Sequence, residues 1–250
     1  MYTLWTTIFY QPIYNALIFL IDTITLGDVG FAIIILTIIV KLILFPLAKK
    51  SIKSQLFMKR LEPELKALKK KYPNKEEHAK KQFELYKKYG VNPFSGCLVL
   101  LLQLPIIIAL YWVFVEFALN TSLIYSFVGT PQVFNTNFLG IINLPANHNI
   151  ILAILVGVSQ FIQLYLVTPI KPKVEVVKGM PEPEVKTFQE ELGASMQTNM
   201  KYTLPVLVAV FAYSFSAAVA LYWITSNIFT IGQEWYVRRS VSKTSLPITA

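Results

Sequence analysis

The chain has 250 residues, of which 54% are hydrophobic, with a mean hydropathy of +0.52 and a formal net charge of +9. Together with several long uncharged stretches, these values exclude a soluble domain and indicate one polytopic membrane domain. The single cysteine, Cys97, excludes an internal disulfide, and its position at the start of an apolar stretch favours packing over redox chemistry.

The N-terminal segment, residues 1–29, has apolar residues at helical spacing between positions 4 and 21, interrupted by Gln11, Pro12 and Asn15. This pattern predicts an interfacial amphipathic helix followed by a linker, with a sixth membrane span as the alternative. The segment has neither a basic n-region nor a small-residue cleavage site. We therefore expect no signal peptide that is removed.

Five apolar stretches are candidates for membrane helices, namely residues 30–48, 94–119, 150–168, 202–215 and 217–237. The last two form one run of about 36 residues, which is too long for a single crossing, and Ser214, Phe215 and Ser216 mark the place for a tight reversal. Bends are expected at the prolines in or beside these stretches, which are Pro46, Pro105, Pro169 and Pro205.

Lysine and arginine are distributed very unevenly along the chain. Residues 49–93 hold fourteen of them against five Glu, whereas residues 1–29 and 120–149 hold none. By the positive-inside rule, the basic segment is cytoplasmic. Five spans then alternate consistently, with the N-terminus and the loop 120–149 outside, and the loop 169–201 and the tail 238–250 inside.

The basic segment 49–93 is predicted to form a hairpin of two antiparallel amphipathic helices, with a break beside Pro73. Pro63 should kink or restart the first of them. The remaining faces are mostly Lys. The hairpin is therefore either a solvated surface that sets topology or a docking arm for the ribosome, anionic lipid headgroups or a partner protein.

Lys41 lies two-thirds of the way through the first apolar stretch, where a cation costs roughly 2.5 to 3.5 kcal/mol and usually faces protein or water. It is our first candidate for a functional residue. The alternative is snorkelling toward the interface near Leu47, about 9 Å away along the helix. Helix side chains lean toward the N-terminus, however, and so away from that interface.

Several uncharged polar residues lie at middle depth in the apolar stretches. Each of them can act as structural glue between helices. Because acidic residues occur only near the ends of the stretches, the lysine has no obvious carboxylate partner, and the polar residues together favour a water-filled cavity. The candidate groove residues are Lys41, Thr37, Gln103, Gln160, Gln163, Trp223 and Asn227, and Thr230 shares a helical face with the last two.

Three parts of the sequence carry a family pattern: residues 37–47 (TIIVKLILFPL), residues 91–97 (VNPFSGC) with 103–105 (QLP), and residues 221–227 (LYWITSN). With these motifs in this order, the chain resembles the YidC/Oxa/Alb family of membrane insertases across nearly its whole length. It looks like a minimal bacterial form without the large extracytoplasmic domain of some members.

This resemblance implies an all-α integral membrane protein with five core spans, an extracytoplasmic amphipathic helix before the first and a cytoplasmic two-helix hairpin. It also implies a hydrophilic groove that is open to the cytosol and to lipid but sealed outside, with Thr37, Gln163 and Trp223 on or near it. Lys41 occupies the position where many bacterial members carry an arginine. Lysine keeps the charge but loses the bidentate fork of a guanidinium.

The predicted function is therefore a membrane protein insertase and chaperone of the bacterial plasma membrane, with no catalytic residue, cofactor or metal. The expected partners are nascent membrane proteins, the ribosome through residues 49–93, the Sec translocon, the signal recognition machinery and membrane lipids, but not DNA. We find no nucleotide-binding loop. The alternatives are a small-solute or ion transporter, although the sequence lacks convincing internal repeats, and an intramembrane hydrolase using Ser159, for which no histidine lies at span depth.

Overall fold

The computed structural model describes residues 2–92, 95–115, 121–167 and 202–241. The predicted loop 169–201 and the end of the tail 238–250, beyond position 241, lie outside the described residues. Most of the described residues are helical. In chain order the helices are α1 (Tyr2–Trp5), a π-helical turn (Thr6–Tyr10), α2 (Gln11–Thr23), α3 (Val29–Ile43), α4 (Phe45–Arg60), α5 (Glu62–Lys71), α6 (Lys75–Lys88), α7 (Ser95–Val115), α8 (Ile150–Val167), α9 (Tyr202–Ser214) and α10 (Ala217–Val241).

A short β-hairpin is the exception to the predicted all-α fold. Strands β1 (Asn137–Phe138) and β2 (Ile142–Asn143) pair antiparallel, with Phe138 opposite Ile142. The chain reverses at Leu139 and Gly140, which both have positive φ, at 54° and 72°. Such backbone angles suit a tight reversal between strands, and this is the physical reason why the loop is not irregular throughout.

The apolar stretch 30–48, predicted as a single span, is not one straight helix. Helix α3 ends at Ile43, α4 begins at Phe45, and the two helices are bent by 61°. Pro46 lies in the first turn of α4 and has no N–H to donate to the carbonyl of Leu42, so the helical ladder of α3 is interrupted there. Lys41 consequently lies in the last turn of α3, just before the bend.

By length and composition, no single helix within the described ranges is apolar over enough residues to cross a membrane. The bent pair α3 and α4 meets that criterion when its two helices are taken together. The other apolar helical segments are shorter, namely Gln103–Val113, Ile150–Leu166 and Tyr202–Ser214. The five-span topology therefore stays a prediction.

Helix α10 packs against α3, α4, α7 and α8. One core lies between α2, α3, α7 and α10, and it buries Leu17, Ile33, Leu110 and Val219. A second core joins α8, α9 and α10 through small residues. A Cβ placed on Gly157 would lie 3.0 Å from the Cβ of Ala209, so α8 and α9 approach closely, as small residues allow in membrane proteins.

The basic arm, which we define as α4, α5 and α6, is joined to the C-terminal end of α10. Their shared core consists of Ile52, Phe57, Leu61, Tyr89, Val91, Val237 and Val241. Arg60 Nη2 also donates to the carbonyl of Val241 at 3.2 Å, at the end of α10 where unpaired carbonyls favour a cation. Helix α10 therefore extends past position 237, where the predicted span ends, because the arm covers its last turn.

Two local signals define the helices of the arm. Pro63 lies in the first turn of α5, so the predicted break falls at Leu61, between α4 and α5. Asn74 caps α6, since its side chain accepts a hydrogen bond from Glu76 N at 2.9 Å. The arm thus turns back on itself at residues 72–74.

The N-terminal segment is helical from Tyr2 to Thr23, with a π-helical turn in the middle. Asn15, which interrupts the apolar pattern in the sequence, is buried against the loop that follows α7. Its Nδ2 donates to Leu123 O at 2.8 Å, and its Oδ1 accepts from Tyr125 N at 2.7 Å. The side chain that breaks the amphipathic pattern therefore joins this helix to the loop.

The loop 121–149 covers the start of α10, at the end of the fold opposite the arm. Ala217 N donates to Ala146 O at 2.9 Å, and Ala218 N donates to Leu144 O at 3.0 Å. Amides in the first turn of a helix have no partner within the helix. Here the loop supplies the missing acceptors from its own backbone.

Candidate functional site

The side chain of Lys41 points between helices. Its Nζ lies 3.2 Å from Thr230 Oγ1 on α10 and 3.4 Å from Gln103 Oε1 on α7, and it donates to both. Helices α3, α7 and α10 therefore meet at this ammonium. The side chain is directed into the protein rather than extended toward Leu47 as snorkelling would require.

The acceptors of Lys41 are neutral. Ion pairs in the described part of the chain join Lys81 to Glu84 on the arm and Arg238 to Glu234 near the end of α10, each at 2.7 Å, and neither includes Lys41. Amide and hydroxyl oxygens can solvate an ammonium, but they cannot neutralise it. The positive charge therefore remains available to an anion.

Gln103 links Lys41 to a buried tyrosine. While its Oε1 accepts from Lys41, its Nε2 lies within hydrogen-bonding distance of the Tyr222 hydroxyl. Thr230 in turn donates to the carbonyl of Ser226 at 2.7 Å. Tyr222, Ser226 and Thr230 follow one another at intervals of four, so they form one stripe of α10.

A second polar cluster lies between α8 and α10. Trp223 Nε1 donates to Gln160 Oε1 at 3.2 Å, and Asn227 Nδ2 donates to Ser159 Oγ at 3.0 Å. Ser159 also donates to the carbonyl of Val156 at 2.9 Å. The partners of Ser159 are thus an amide and a carbonyl, which cannot serve as the general base that a serine nucleophile needs.

Thr37 and Gln163 stand apart from these two clusters. The hydroxyl of Thr37 is buried and donates to Ile33 O at 2.7 Å, so it is satisfied within α3 and does not bond to Lys41. The Oε1 atom of Gln163 is buried and has no hydrogen-bond partner among the described residues. Because buried polar atoms are nearly always paired, this oxygen has an unused capacity to accept a hydrogen bond.

Sequence reasoning missed Tyr222 and left Thr230 out of the candidate groove set. The signal that could have found them is the repeat of polar residues at 222, 226 and 230, at intervals of four. Tyr222 and Ser226 each precede by one residue a member of the predicted face, Trp223 and Asn227. Within the residues that the structure describes, no group of three or more His, Cys, Asp or Glu could hold a metal ion.

The outward faces of α8 and α9 expose Ile154, Val158, Ile162, Val206 and Val210. Such continuous apolar surface is typical of helices that face lipid. Fold and site together define a helical membrane protein with a lysine held by neutral polar groups between its helices.

The chain belongs to the family described as 60Kd inner membrane protein, the YidC/Oxa family, whose model matches residues 20–244. This match confirms the resemblance that the motifs carry.

Among curated relatives named membrane protein insertase YidC, that of Ectopseudomonas mendocina is 34% identical over 227 residues, covering 90% of this chain and 33% of the relative. That of Oceanobacillus iheyensis is 33% identical over 241 residues, covering 94% of this chain and 84% of the relative. The chain thus spans about a third of the length of the first relative and most of the second.

A solved structure supports the same fold. It is described as an active YidC insertase crystal structure with the first transmembrane domain resolved. The TM-score is 0.57 at 22% sequence identity, and the match covers 96% of this chain and 47% of that one.

Proposed function

We propose that this chain is a membrane insertase, and that Lys41 receives hydrophilic segments of nascent membrane proteins. Its family membership and the names of its relatives support an insertase. The observation that carries the role of Lys41 is an ammonium between three helices whose acceptors, Gln103 and Thr230, are both uncharged.

An acidic segment of a client can replace a neutral acceptor beside Lys41. Two unit charges 4 Å apart attract by about 4 kcal/mol at an effective dielectric constant near 20, compared with about 1 kcal/mol in water. A carboxylate therefore gains more at this site than in the cytosol. This attraction ends when the apolar helix of the client moves into the lipid. Burial of the apolar surface of that helix in lipid then drives the completion of insertion.

In this proposal the hydrogen-bonded cluster of Gln160, Trp223, Ser159 and Asn227 lines the same groove along α10. In this proposal the unpaired Oε1 of Gln163 accepts from water or from a backbone N–H of the client. Amide and hydroxyl groups bind any polypeptide backbone equally. The groove therefore accepts clients of many sequences, and Lys41 adds a preference for acidic ones.

The orientation that we propose follows from charge. Helices α3, α7, α8, α9 and α10 are the five spans, α1 and α2 lie on the outer surface, and the C-terminal tail is cytoplasmic. The basic arm then lies in the cytosol, where it meets the ribosome, the signal recognition machinery or the Sec translocon together with a nascent chain. Its contacts are electrostatic, since the segment 49–93 has nine more basic than acidic residues.

The role of the Lys41 charge is tested by measuring the insertion rate of a single-span client with an acidic tail. The same client with a neutral tail is measured for comparison. Lys41→Glu should slow insertion of the acidic client most, Lys41→Ala less, and Lys41→Arg least, because only the arginine keeps the positive charge. Lys50→Ala, which removes an exposed lysine of α4, is the matched control. If Lys41→Ala and Lys41→Glu both insert the acidic client at the wild-type rate, the proposed role of Lys41 is wrong.

The path of the client is tested by photocrosslinking to a ribosome-bound nascent chain. A photoreactive residue at position 41, 163 or 223 should crosslink to the hydrophilic segment of the client. The same residue at position 154, on the apolar outer face of α8, should crosslink to lipid or to the apolar helix instead. Equal crosslinking of the hydrophilic segment from all four positions would contradict a groove.

A further inference from the structure

Apolar side chains project from the surface at the end of the fold opposite the arm. The side chains of Leu26 and Ile141 are 85% and 81% exposed, and those of Val133 and Leu139 are each 61% exposed. We call these four residues the apolar collar. The loop 120–149, which supplies three of them, contains no Asp, Glu, Lys or Arg.

Two members of the collar, Leu26 and Val133, lie beside the start of α3. Val29 N donates to Asn135 O at 3.1 Å, and Asn135 N donates to Gly27 O at 2.8 Å, which ties the segment around Val133 to the entry of the helix. A Cβ placed on Gly27 would lie 3.0 Å from the Cβ of Val133, so Leu26 and Val133 are neighbours across this junction.

The β-hairpin brings the other two members of the collar to the first turn of α3. The ring of Phe138 occupies the space where a side chain at position 30 would lie, and it packs edge-on against Phe31 with 5.3 Å between ring centroids. Leu139 follows Phe138 directly, and Ile141 lies two residues further along the chain. The four exposed side chains therefore lie at the level where the apolar stretch 30–48 begins.

The two leucines of the collar, Leu26 and Leu139, have an unfavourable backbone conformation. Leu26 has φ of 51° and Leu139 has φ of 54°, and each is followed by a glycine that also has positive φ. Glycine or asparagine adopts such angles readily, whereas a leucine is strained by its Cβ. In water, these positions would combine backbone strain with an exposed apolar side chain. Transfer of the side chains into an apolar medium offsets both costs.

We propose that the apolar collar inserts into the headgroup and acyl boundary of the lipid leaflet on the side opposite the arm. A lipid surface fits better than a protein partner, because the side chains are separate tips around a helix and not the walls of a concave groove, and because the loop has no charge to orient a partner. This anchor is independent of the chemistry at Lys41, so it stands or falls apart from the proposed insertase function.

The anchor has a consequence for the site. From Gly30, at the level of the collar, to Lys41 the helix rises about 16 Å, which is close to half of a hydrocarbon core of about 30 Å. With the collar fixed at one boundary, the ammonium is held near the middle of the bilayer. The collar therefore sets the depth of the Lys41 ammonium in the bilayer.

The test uses the full chain with Cys97→Ser and a single new cysteine at Leu139 or Ile141, labelled with the environment-sensitive fluorophore NBD and reconstituted into vesicles of phosphatidylcholine and phosphatidylglycerol. Lipids brominated near the headgroup end of the acyl chain should quench both labels, and aqueous iodide should not. Phe83→Cys, an exposed apolar position on α6, is the control and should show the opposite pattern.

Because Leu139 has a strained backbone, the Ile141 label provides a second reading that leaves that turn unchanged. Quenching of the Ile141 label by iodide and not by brominated lipid would place the collar in water and overturn the proposal. Protection of the label from both quenchers would mean that protein covers the collar, and this result would overturn it as well. The Leu26→Asn and Leu139→Asn double variant suits the positive φ angles but removes the apolar tips, so it should abolish quenching of the Ile141 label by brominated lipid.

Discussion

At the scale of single residues, Gln103 is the side chain on which two other polar groups of the site depend. Its oxygen accepts from Lys41 and its nitrogen meets the hydroxyl of Tyr222. Leucine has a volume similar to that of glutamine, but it offers neither the accepting oxygen nor the donating nitrogen. Lys41 and Tyr222 would then each lose a hydrogen-bond partner. Leaving a polar group unpaired away from water costs more than the hydrogen bond itself contributes.

We therefore expect Gln103→Leu to lower the free energy of unfolding by about 1 to 3 kcal/mol. Thermal unfolding in detergent micelles measures this effect. Tyr222→Phe is the companion variant, and it should cost less because only one hydroxyl is removed and the ring still packs. An unchanged melting temperature for Gln103→Leu would mean that water replaces its amide without loss.

Tyr89 gives the arm a dependence on alkaline pH. Its hydroxyl donates to Glu64 Oε1 at 2.9 Å, and this hydrogen bond raises the pKa of Tyr89 above its usual value. A raised pKa means that the folded arm favours the neutral phenol. This contribution is complete below the unfolded pKa of about 10 and is lost as the pH rises through the folded value.

Hydrogen exchange of α5 and α6 should therefore accelerate at alkaline pH in the wild type by more than base catalysis of exchange alone requires. In Tyr89→Phe, which lacks the titrating hydroxyl, the part of this acceleration due to Tyr89 should disappear. Identical pH profiles for the two proteins would show that the bond to Glu64 does not stabilise the arm.

Lys41 was predictable because a cation in an apolar stretch is conspicuous whatever surrounds it. Its partners were harder to identify, since helical spacing gives the face of a residue but not the helix that this face meets. Thr37 illustrates the limit, because it is a candidate groove residue together with Lys41, while its hydroxyl bonds to Ile33 O within its own helix. Tyr222 was missed because tyrosine in an apolar run is usually interpreted as packing.

At the scale of elements, α4 connects the site to the arm. It starts at the 61° bend next to Lys41 and ends at Arg60, against the last turn of α10. Leu61, which follows directly, is completely buried in the core that the arm shares with α10. This core and the hydrogen bond from Arg60 to Val241 O join the arm to α10.

Leu61→Ala should remove about 2 to 5 kcal/mol from the local stability of the arm, as expected for a large-to-small change in a packed core. The effect should appear as faster protease cleavage between α4 and α6, with little change in the exchange of α3 or α8. Phe83→Ala is the control, because that side chain is exposed on α6. If both variants are cleaved equally fast, the arm is not held by this core.

The helices of the arm were accessible to prediction because their signals are local: an amphipathic period, Pro63 at a start and Asn74 at a cap. The β-hairpin was not, since its reversal depends on a leucine, Leu139, with positive φ. No sequence rule places leucine there. The bend between α3 and α4 was expected from Pro46, but its position at Leu44 and its size were not.

At the scale of the whole molecule, charge divides the protein into two ends. The arm is strongly basic, whereas the loop 120–149 has no Lys or Arg, and no Asp or Glu either. One end is therefore suited to polyanions and the other to lipid or water. This polarity was evident in the sequence, because it depends only on the positions of the charged residues along the chain.

Reversing charge on the outer part of the arm should weaken its binding to ribosomes without loosening the membrane domain. We expect the triple variant Lys70→Glu, Lys71→Glu and Lys80→Glu to co-sediment less with ribosomes at low salt. Binding of the wild type should fall as salt rises, because screening shortens the range of the attraction. The variant with Glu76→Lys and Glu77→Lys is the opposite control and should bind more strongly. Equal co-sedimentation of all three proteins would show that the charge of the arm does not bind ribosomes.

The hydrogen bonds that join Ala217 and Ala218 to Ala146 and Leu144 connect main-chain atoms only. Their existence depends on the path of the polypeptide and not on which side chains it carries. Substitutions that still fit the buried positions of Leu144, Ala217 and Ala218 can therefore accumulate in this stretch while the hydrogen bonds persist. Chains whose residues differ widely at these positions can therefore keep the same backbone contact at the start of this helix.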